Sequence, residues 1–248
     1  MELKQAAVLL VDDEPFLREI MCAWMERTAR RVFSAEDGRK ALRILVANKV
    51  DVIISDVRMP VIDGIELLKR INESPANRPG MIFVTGFSDL TLREAYDMGV
   101  EAILEKPIKR EELLRAARNS VATIDELWQR PPTATPDARL KVSFASFPAA
   151  LEEKRLGFGR RGFCIKPRQP VREGPIEFAL EFKAEKVMLR GQGDVRWMAP
   201  EEALAGIEIM HLDPPSRNWL IAYLKKTKPL PIIPSHPGRD RWVQSKVA

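Results

Sequence analysis

Val8-Leu9-Leu10-Val11-Asp12-Asp13, Val52-Ile53-Ile54-Ser55-Asp56 and Met81-Ile82-Phe83-Val84-Thr85 are three short apolar runs that each stop at an oxygen-bearing side chain. A fourth run, Ala102-Ile103-Leu104-Glu105, ends in Lys106-Pro107. Runs of this length, rich in β-branched residues and separated by segments of helical period, read as strands of a parallel sheet buried on both faces. Phe16, Leu17, Ile20, Met21, Trp24 and Met25 recur at helical spacing after Pro15, which suits a first turn. Ala41 to Leu45, Ile65 to Ile71, Leu90 to Met98 and Leu113 to Ile124 repeat the pattern. Five βα units in roughly 125 residues make one ordinary domain, a doubly wound α/β sheet of five parallel strands.

In an open parallel sheet, ligands bind off the carboxyl ends of the strands. Asp12, Asp13, Asp56, Thr85 and Lys106 are thereby expected to converge on one crevice. Three carboxylates in one place repel one another, so a hard divalent cation, magnesium by preference, is the natural third party. With such a cation present, a carboxylate can act as a nucleophile and become an aspartyl phosphate. Asp56 stands alone on its strand and suits the nucleophile, and the Asp12-Asp13 pair suits metal ligation. Lys106 and Thr85 would pair with phosphoryl oxygens. Any one of these residues alone would be an ordinary turn or strand-exit residue; their register on successive strands separates them from that reading.

The segments VLLVDDEPF, DVIISDVRMPVIDGIELL, FVTGFSD and LEKPIKREEL, in that order and spacing, resemble the receiver domain of bacterial two-component response regulators over residues 4–124. The resemblance implies a flavodoxin-like fold, with Asp56 as phosphoacceptor and a histidine kinase as phosphodonor. It further implies Asp13 as a direct magnesium ligand, Asp12 as a ligand through water, and the backbone carbonyl of Arg58 as completing the shell. Thr85 takes the switch-hydroxyl position, Lys106 the phosphate-binding position, and Lys106-Pro107 is expected to be cis. Receivers usually carry Tyr or Phe three residues before that lysine; this chain has Ile103, which puts the usual coupling to an aromatic rotamer in question. The fourth and fifth helices, near Leu90 to Met98 and Leu113 to Val121, are the face expected for a homodimer or a domain contact.

At 248 residues the chain has length for two domains. No apolar run approaches the roughly 20 residues needed to span a bilayer, and the start of the chain carries no signal-peptide pattern, so a cytoplasmic protein is expected. Cys22 and Cys164 are the two cysteines and His211 and His236 the two histidines. A disulfide framework, a zinc site and histidine-based catalysis are therefore disfavoured, and an enzyme in the usual sense is not expected. Residues 1–124 carry 19 basic and 20 acidic side chains and residues 125–248 carry 21 and 15, so the halves are −1 and +6 and the positive excess lies in the second. That suits an anionic partner or, equally, a solvated basic face.

Residues 125–139 read as a linker around the Pro-rich stretch Arg130 to Asp137. Beyond it the period changes to two, at Leu140-Val142-Phe144, Ile176-Phe178-Leu180-Phe182, Val187-Leu189, Val195-Trp197 and Ile207-Ile209, with turns expected at Arg172 to Pro175, Gly191 to Gly193 and Pro200 to Glu202. This predicts a small antiparallel β-barrel or sandwich over 140–226, the barrel being what the resemblance below implies, followed by a helix carrying Trp219, Leu220, Tyr223 and Leu224. Trp197 and Trp219 are expected in the core. Residues 227–248, Pro-rich, basic and aperiodic, read as a disordered tail.

GRRGFCI, GDVRWM and AGIEIMHLDPPSRNWL within that strand order resemble a PilZ domain, a family that binds cyclic di-GMP. The family's Arg-x-x-x-Arg is missing, and its Asp/Asn-x-Ser-x-x-Gly turn corresponds to Gly157 to Gly162, where only the last glycine is kept. Arg155, Arg160 and Arg161 are the nearby cations for an anion or for cyclic di-GMP. The expectation is a response regulator whose PilZ-like unit acts by contact with a downstream protein, in motility or surface behaviour as the resemblance implies. Its rivals are a cyclic di-GMP sensor and a nucleic-acid-binding regulator; no reading helix supports the latter, and it would bind with steep salt dependence.

Overall fold

Alternation along the strands explains the first sheet. Odd and even residues of Val8-Leu9-Leu10-Val11 point to opposite faces, and all of them are buried, so each strand must be covered on both sides. A computed structural model supplies this arrangement and describes residues 1–73, 78–86, 90–130, 135–136, 138–167 and 169–237. Of the linker expected over 125–139, residues 131–134 and 137 lie outside the described residues; its first part is corrected, because a short helix capped by Thr123 covers Ile124–Leu127 and Trp128 is fully buried.

The order along the first part is β1 (Ala7–Val11), α1 (Pro15–Glu26), β2 (Arg31–Ala35), α2 (Gly38–Ala47), β3 (Val52–Asp56), α3 (Gly64–Asn72), β4 (Gly80–Thr85), α4 (Leu92–Asp97), β5 (Val100–Glu105) and α5 (Arg110–Val121). The strands form one parallel sheet in the order β2-β1-β3-β4-β5. Val8, Leu10, Val52, Ile54, Ile82 and Val84 meet Met21 and Met25 of α1 and Leu113, Leu114 and Ala117 of α5 in one buried cluster. Each fully buried side chain of this size contributes about 1.5–3 kcal/mol, so this face alone fixes the register. The site-bearing strand ends follow from it. β2, with the pattern Arg-Val-Phe-Ser-Ala, was not individually legible in the sequence because it is an edge strand and only its last residue is buried.

Two compact units divide the chain: Met1–Thr91 with Val100–Ala122, and Leu92–Gly99 with the described residues from Thr123 on. The helix α4 thus belongs by its packing to the second unit, although it lies in sequence between β4 and β5.

The second unit continues with α6 (Ile124–Leu127), β6 (Ala138–Phe144), α7 (Phe147–Glu152), β7 (Leu156–Phe158), β8 (Gly162–Ile165), β9 (Gly174–Phe182), β10 (Val187–Ala199), β11 (Leu204–Leu212) and α8 (Pro214–Thr227). Its six strands run β6-β9-β10-β11-β8-β7. The expected purely antiparallel barrel is corrected here: β6 pairs with β9 in parallel, so this is a mixed sheet. The expected turn at Gly191 to Gly193 is also corrected. Both glycines lie inside the single strand β10, at an irregularity in its pairing with β11. A Cβ on Gly191 would sit 2.2 Å from the His211 carbonyl oxygen and one on Gly193 2.4 Å from that of Glu208. Glycine inside a strand marks close backbone approach as readily as a turn.

α8 begins where the Asp213 carboxylate accepts a hydrogen bond from Ser216 N at 2.9 Å, with Pro214 and Pro215 in the first turn. Trp219 stacks on Phe182, and Phe147 meets Phe182, Trp219 and Tyr223 edge-on at 4.6–5.2 Å. Such ring pairs add about 0.5–1.5 kcal/mol beyond area burial.

The tail reading fails for residues 229–237. Ile232 and Ile233 are fully buried, and the segment makes backbone hydrogen bonds to Arg160, Arg161 and Tyr96. Four prolines removed the helix and strand signals without removing the apolar anchor between them. Residues 238–248 of that reading lie outside the described residues.

Candidate functional site

The carboxyl ends of β1, β3, β4 and β5 bring the expected residues to one place. β1 runs out at Val11, and Asp12 follows fully buried with Asp13 exposed beside it. Asp12 accepts a hydrogen bond from Glu14 N at 2.8 Å, and its backbone carbonyl accepts one from the Arg18 guanidinium of α1. Asp56 closes β3, 7% exposed. Its Oδ1 accepts from Arg58 N at 3.1 Å, and the Ser55 hydroxyl donates to its backbone carbonyl at 2.8 Å. Gly64, at the start of α3, permits the close approach of that helix: a Cβ there would sit 2.3 Å from the Asp56 carbonyl oxygen. Lys106 is held where its backbone N donates to the Thr85 carbonyl at 2.8 Å, with Lys106-Pro107 cis.

The side chains close the pocket. Lys106 Nζ stands 2.6 Å from Asp56 Oδ2, 3.1 Å from Glu14 Oε1 and 3.5 Å from Asp12 Oδ2. Ligand oxygens of Asp12, Asp13 and Asp56 all lie within 4.8 Å of one another. Burial pushes the Asp12 carboxyl up; the hydrogen bond from Glu14 N and the Lys106 charge oppose this without cancelling it, and Asp56 adds to it. For Lys106, burial alone would lower the pKa, but hydrogen bonds to Asp56 and Glu14 and the field of Asp12 raise it, so it is a fixed cation.

A hard cation fits this arrangement on two grounds. Asp12 Oδ2 is buried with no hydrogen-bond partner and has only the Lys106 charge at 3.5 Å, and a buried carboxylate oxygen without a bonded partner carries a free-energy cost that a coordinating cation would relieve. The donor set is oxygen only and carries more negative charge than Lys106 offsets, which suits magnesium.

The family model for the response regulator receiver domain matches residues 8–118. That segment is a receiver domain. The C4-dicarboxylate transport transcriptional regulatory protein DctD of Pseudomonas aeruginosa is 35% identical over 118 residues, 47% of this chain and 25% of that protein. The positive alginate biosynthesis regulatory protein of the same organism is 34% identical over 116 residues, 46% of either chain. The chain thus spans between a quarter and about half the length of these relatives. Among solved structures, the signal receiver domain of an HD domain-containing protein from Pseudomonas fluorescens is 30% identical, covering 47% of this chain and 94% of that one with a TM-score of 0.44.

Within the receiver, Ile103 is half-buried on β5 and registers with Phe83 of β4. Glu14 and Gly64 were missed as site residues. The run Asp12-Asp13-Glu14 signalled the first, but the approach of α3 that requires the second has no local sequence mark.

The three arginines of the second unit do not form one anion cradle. Arg161 is buried in an ion pair with Glu208, which also holds Arg196 at 2.8 Å. Arg160 Nε donates to the Leu230 carbonyl at 3.1 Å, and Arg155 lies over the Phe144 ring at 4.9 Å and 3.4 Å from Glu153. Each charge is thereby engaged in holding the fold. The cyclic di-GMP expectation finds no support in this arrangement. Among the described residues, no helix is long and apolar enough to cross a membrane.

Proposed function

We propose that the protein is a cytoplasmic response regulator phosphorylated on Asp56 by a histidine kinase, and that its second unit carries the output by contact with another protein. The observation that supports this best is the meeting of Asp56, Asp12, Asp13 and Lys106 within a few ångströms. An Asp56 carboxylate oxygen attacks the phosphorus of a phosphohistidine; the P–O bond forms as the P–N bond breaks, and the imidazole leaves and takes up a proton. Asp12, Asp13 and Asp56, with the Arg58 carbonyl, are the residues to hold magnesium, which when bound draws charge from the phosphoryl oxygens.

Lys106, a fixed point charge against Asp56, receives the phosphoryl oxygens and holds them as charge builds. In this reading Thr85, which ends β4, bonds a further oxygen. Self-phosphorylation and its slow hydrolysis are the only chemistry in this reading, so the protein is a switch and no enzyme in the usual sense.

A PilZ-like identity for the second unit rests on the motifs GRRGFCI, GDVRWM and AGIEIMHL, which here lie in the β7–β8 turn with β8, in β10 and in β11. With Arg155, Arg160 and Arg161 engaged within the unit, the output in this reading is a protein contact rather than a nucleotide.

Incubation with acetyl phosphate and magnesium tests the proposal. The parent should gain one phosphoryl mass and Asp56→Asn none. A variant that gains as much as the parent would refute Asp56 as acceptor.

A further inference from the structure

The chain departs from the PilZ-like turn at Gly157 and Gly159, where that motif carries Asp or Asn and Ser, and both glycines face the Pro-rich residues 229–237. A Cβ on Gly157 would sit 3.0 Å from the His236 carbonyl oxygen and 3.2 Å from Pro234 Cγ. One on Gly159 would sit 2.6 Å and 2.4 Å from the Pro231 and Ile232 carbonyl oxygens. Glycine in or beside a strand marks a place where another backbone comes close. The two substitutions that strip the turn of its polar side chains are therefore the two that let a second stretch of main chain lie on it.

Most of the grip on that stretch is on main-chain atoms. Arg160 N donates to the Pro231 carbonyl at 2.7 Å, Arg161 N to the Ile232 carbonyl at 3.1 Å and Arg160 Nε to the Leu230 carbonyl at 3.1 Å. From the far side Ile232 N donates to the Tyr96 carbonyl at 2.9 Å, and Ser235 N to Asp97 Oδ1 at 2.7 Å. Bonds to the main chain read no sequence. Sequence enters at Ile232 and Ile233, fully buried among Cys164, Trp197, Ala199 and Leu204. Pro229, Pro231, Pro234 and Pro237 keep the segment out of helix and strand, so it has less chain freedom to lose on seating. It leaves α8 through Lys228, a one-residue turn in the left-handed conformation at φ 46°.

We propose that the β7–β8 turn is a docking track for a segment of the downstream partner, and that residues 229–237 fill this track in cis as a tethered competitor. The partner segment is uncharged and irregular, with two neighbouring β-branched side chains bounded by prolines. The seated residues themselves show this chemistry. Main-chain bonds supply affinity and the pocket for Ile232 and Ile233 supplies choice, the division of labour found in sites for strands and Pro-rich peptides. A tethered segment acts at an effective concentration on the order of millimolar, so the track answers to a partner that displaces the tail. The proposal rests on the protein-contact output proposed above and gives that output a place.

Fluorescence anisotropy with a labelled peptide of residues 229–237, added to full-length chains, is the test. The parent should bind it weakly, since its own tail fills the track. Ile232→Asp with Ile233→Asp, which unseats the tail, should bind the peptide at least about tenfold more tightly. A peptide with serine at both isoleucine positions should not bind, and Gly159→Val added to the double variant should abolish binding. Asp97→Ala, which cuts only the Ser235 tie, should give a smaller gain in the same direction. Hydrogen exchange in β10 and β11 reports whether the sheet is intact in each variant. An intact sheet without tighter peptide binding would overturn the track. Loss of sheet protection in both tail-releasing variants would make the segment a fixed part of the core and overturn it as well. A parent that dimerises as its concentration rises, with a double variant that does not, would give the track to a second copy and overturn the partner. No phosphodonor is present, so each of these failures leaves Asp56 as acceptor untouched.

Discussion

Asp12→Asn should make the protein more stable without magnesium and less responsive to it. At an effective dielectric of about 20, Asp12 and Asp56 within 4.8 Å repel by about 3.5 kcal/mol, and Lys106 at 3.5 Å attracts Asp12 by about 4.7 kcal/mol. Asp13 and Glu14 add further repulsion, screened by their exposure, so the pair interactions nearly cancel. Desolvation then decides the sign, because Asp12 is fully buried and a buried ion carries a penalty of several kcal/mol. Asparagine keeps an acceptor for Glu14 N and puts a neutral amide in the place of Oδ2, which gives up the Lys106 attraction together with the repulsion and the desolvation of a buried charge. A gain of about 1–2 kcal/mol is expected.

The pH dependence has the same origin. The Asp12 carboxyl titrates above its ordinary value of 3.8 when folded, so the folded state holds its proton longer, and stability falls as pH rises through that interval. The variant should lose this slope. Urea unfolding with and without magnesium, with hydrogen exchange of the β3 amides assigning the transition to the receiver, is the assay. Magnesium at a hundredfold excess over its dissociation constant should stabilise the parent by about 2.7 kcal/mol and the variant by much less. A variant less stable than the parent in the absence of magnesium, with an unchanged magnesium increment, would refute this electrostatic reasoning.

Gly64→Ala should cost about 1–3 kcal/mol by overpacking against the Asp56 carbonyl. It should also slow phosphoryl uptake, measured as initial rate with acetyl phosphate, because the strain falls on the acceptor strand. Glu208→Ala should cost about 3–5 kcal/mol in urea unfolding, since it leaves the Arg161 and Arg196 guanidiniums without their buried counterion. Burial opposes the Glu208 charge, but Arg161 and Arg196 together hold its carboxyl below its ordinary value of 4.5. Its contribution is therefore present above that pH and lost as pH falls through the lowered folded value, and Glu208→Gln should flatten this acid-side dependence.

The receiver was legible because its strands are fully buried and its chemistry falls at strand ends. Val52 to Asp56 declares both facts in five residues. What the sequence hid was non-local. Glu208 sits between Ile207 and Ile209 and reads as a solvent-facing position, yet it is buried because Arg161 arrives from the β7–β8 turn and Arg196 from β10. Gly191 and Gly193 carry the local signature of a turn and serve instead as points where β11 comes close. Ile232 and Ile233 lie among prolines that conceal their burial, since no period of 2 or 3.6 survives there. The parallel pairing of β6 with β9 joins residues 38 apart in sequence, beyond the reach of any periodicity argument.

Chemical mapping of the phosphorylated residue bears most directly on the central claim. The protein, treated with acetyl phosphate and magnesium, would be trapped with borohydride, digested and sequenced by mass spectrometry. The expected result is a single modified aspartate at Asp56, lost when magnesium is chelated. Modification at Asp12 or Asp13 in its place, or labelling of Asp56 that is indifferent to magnesium, would contradict the account.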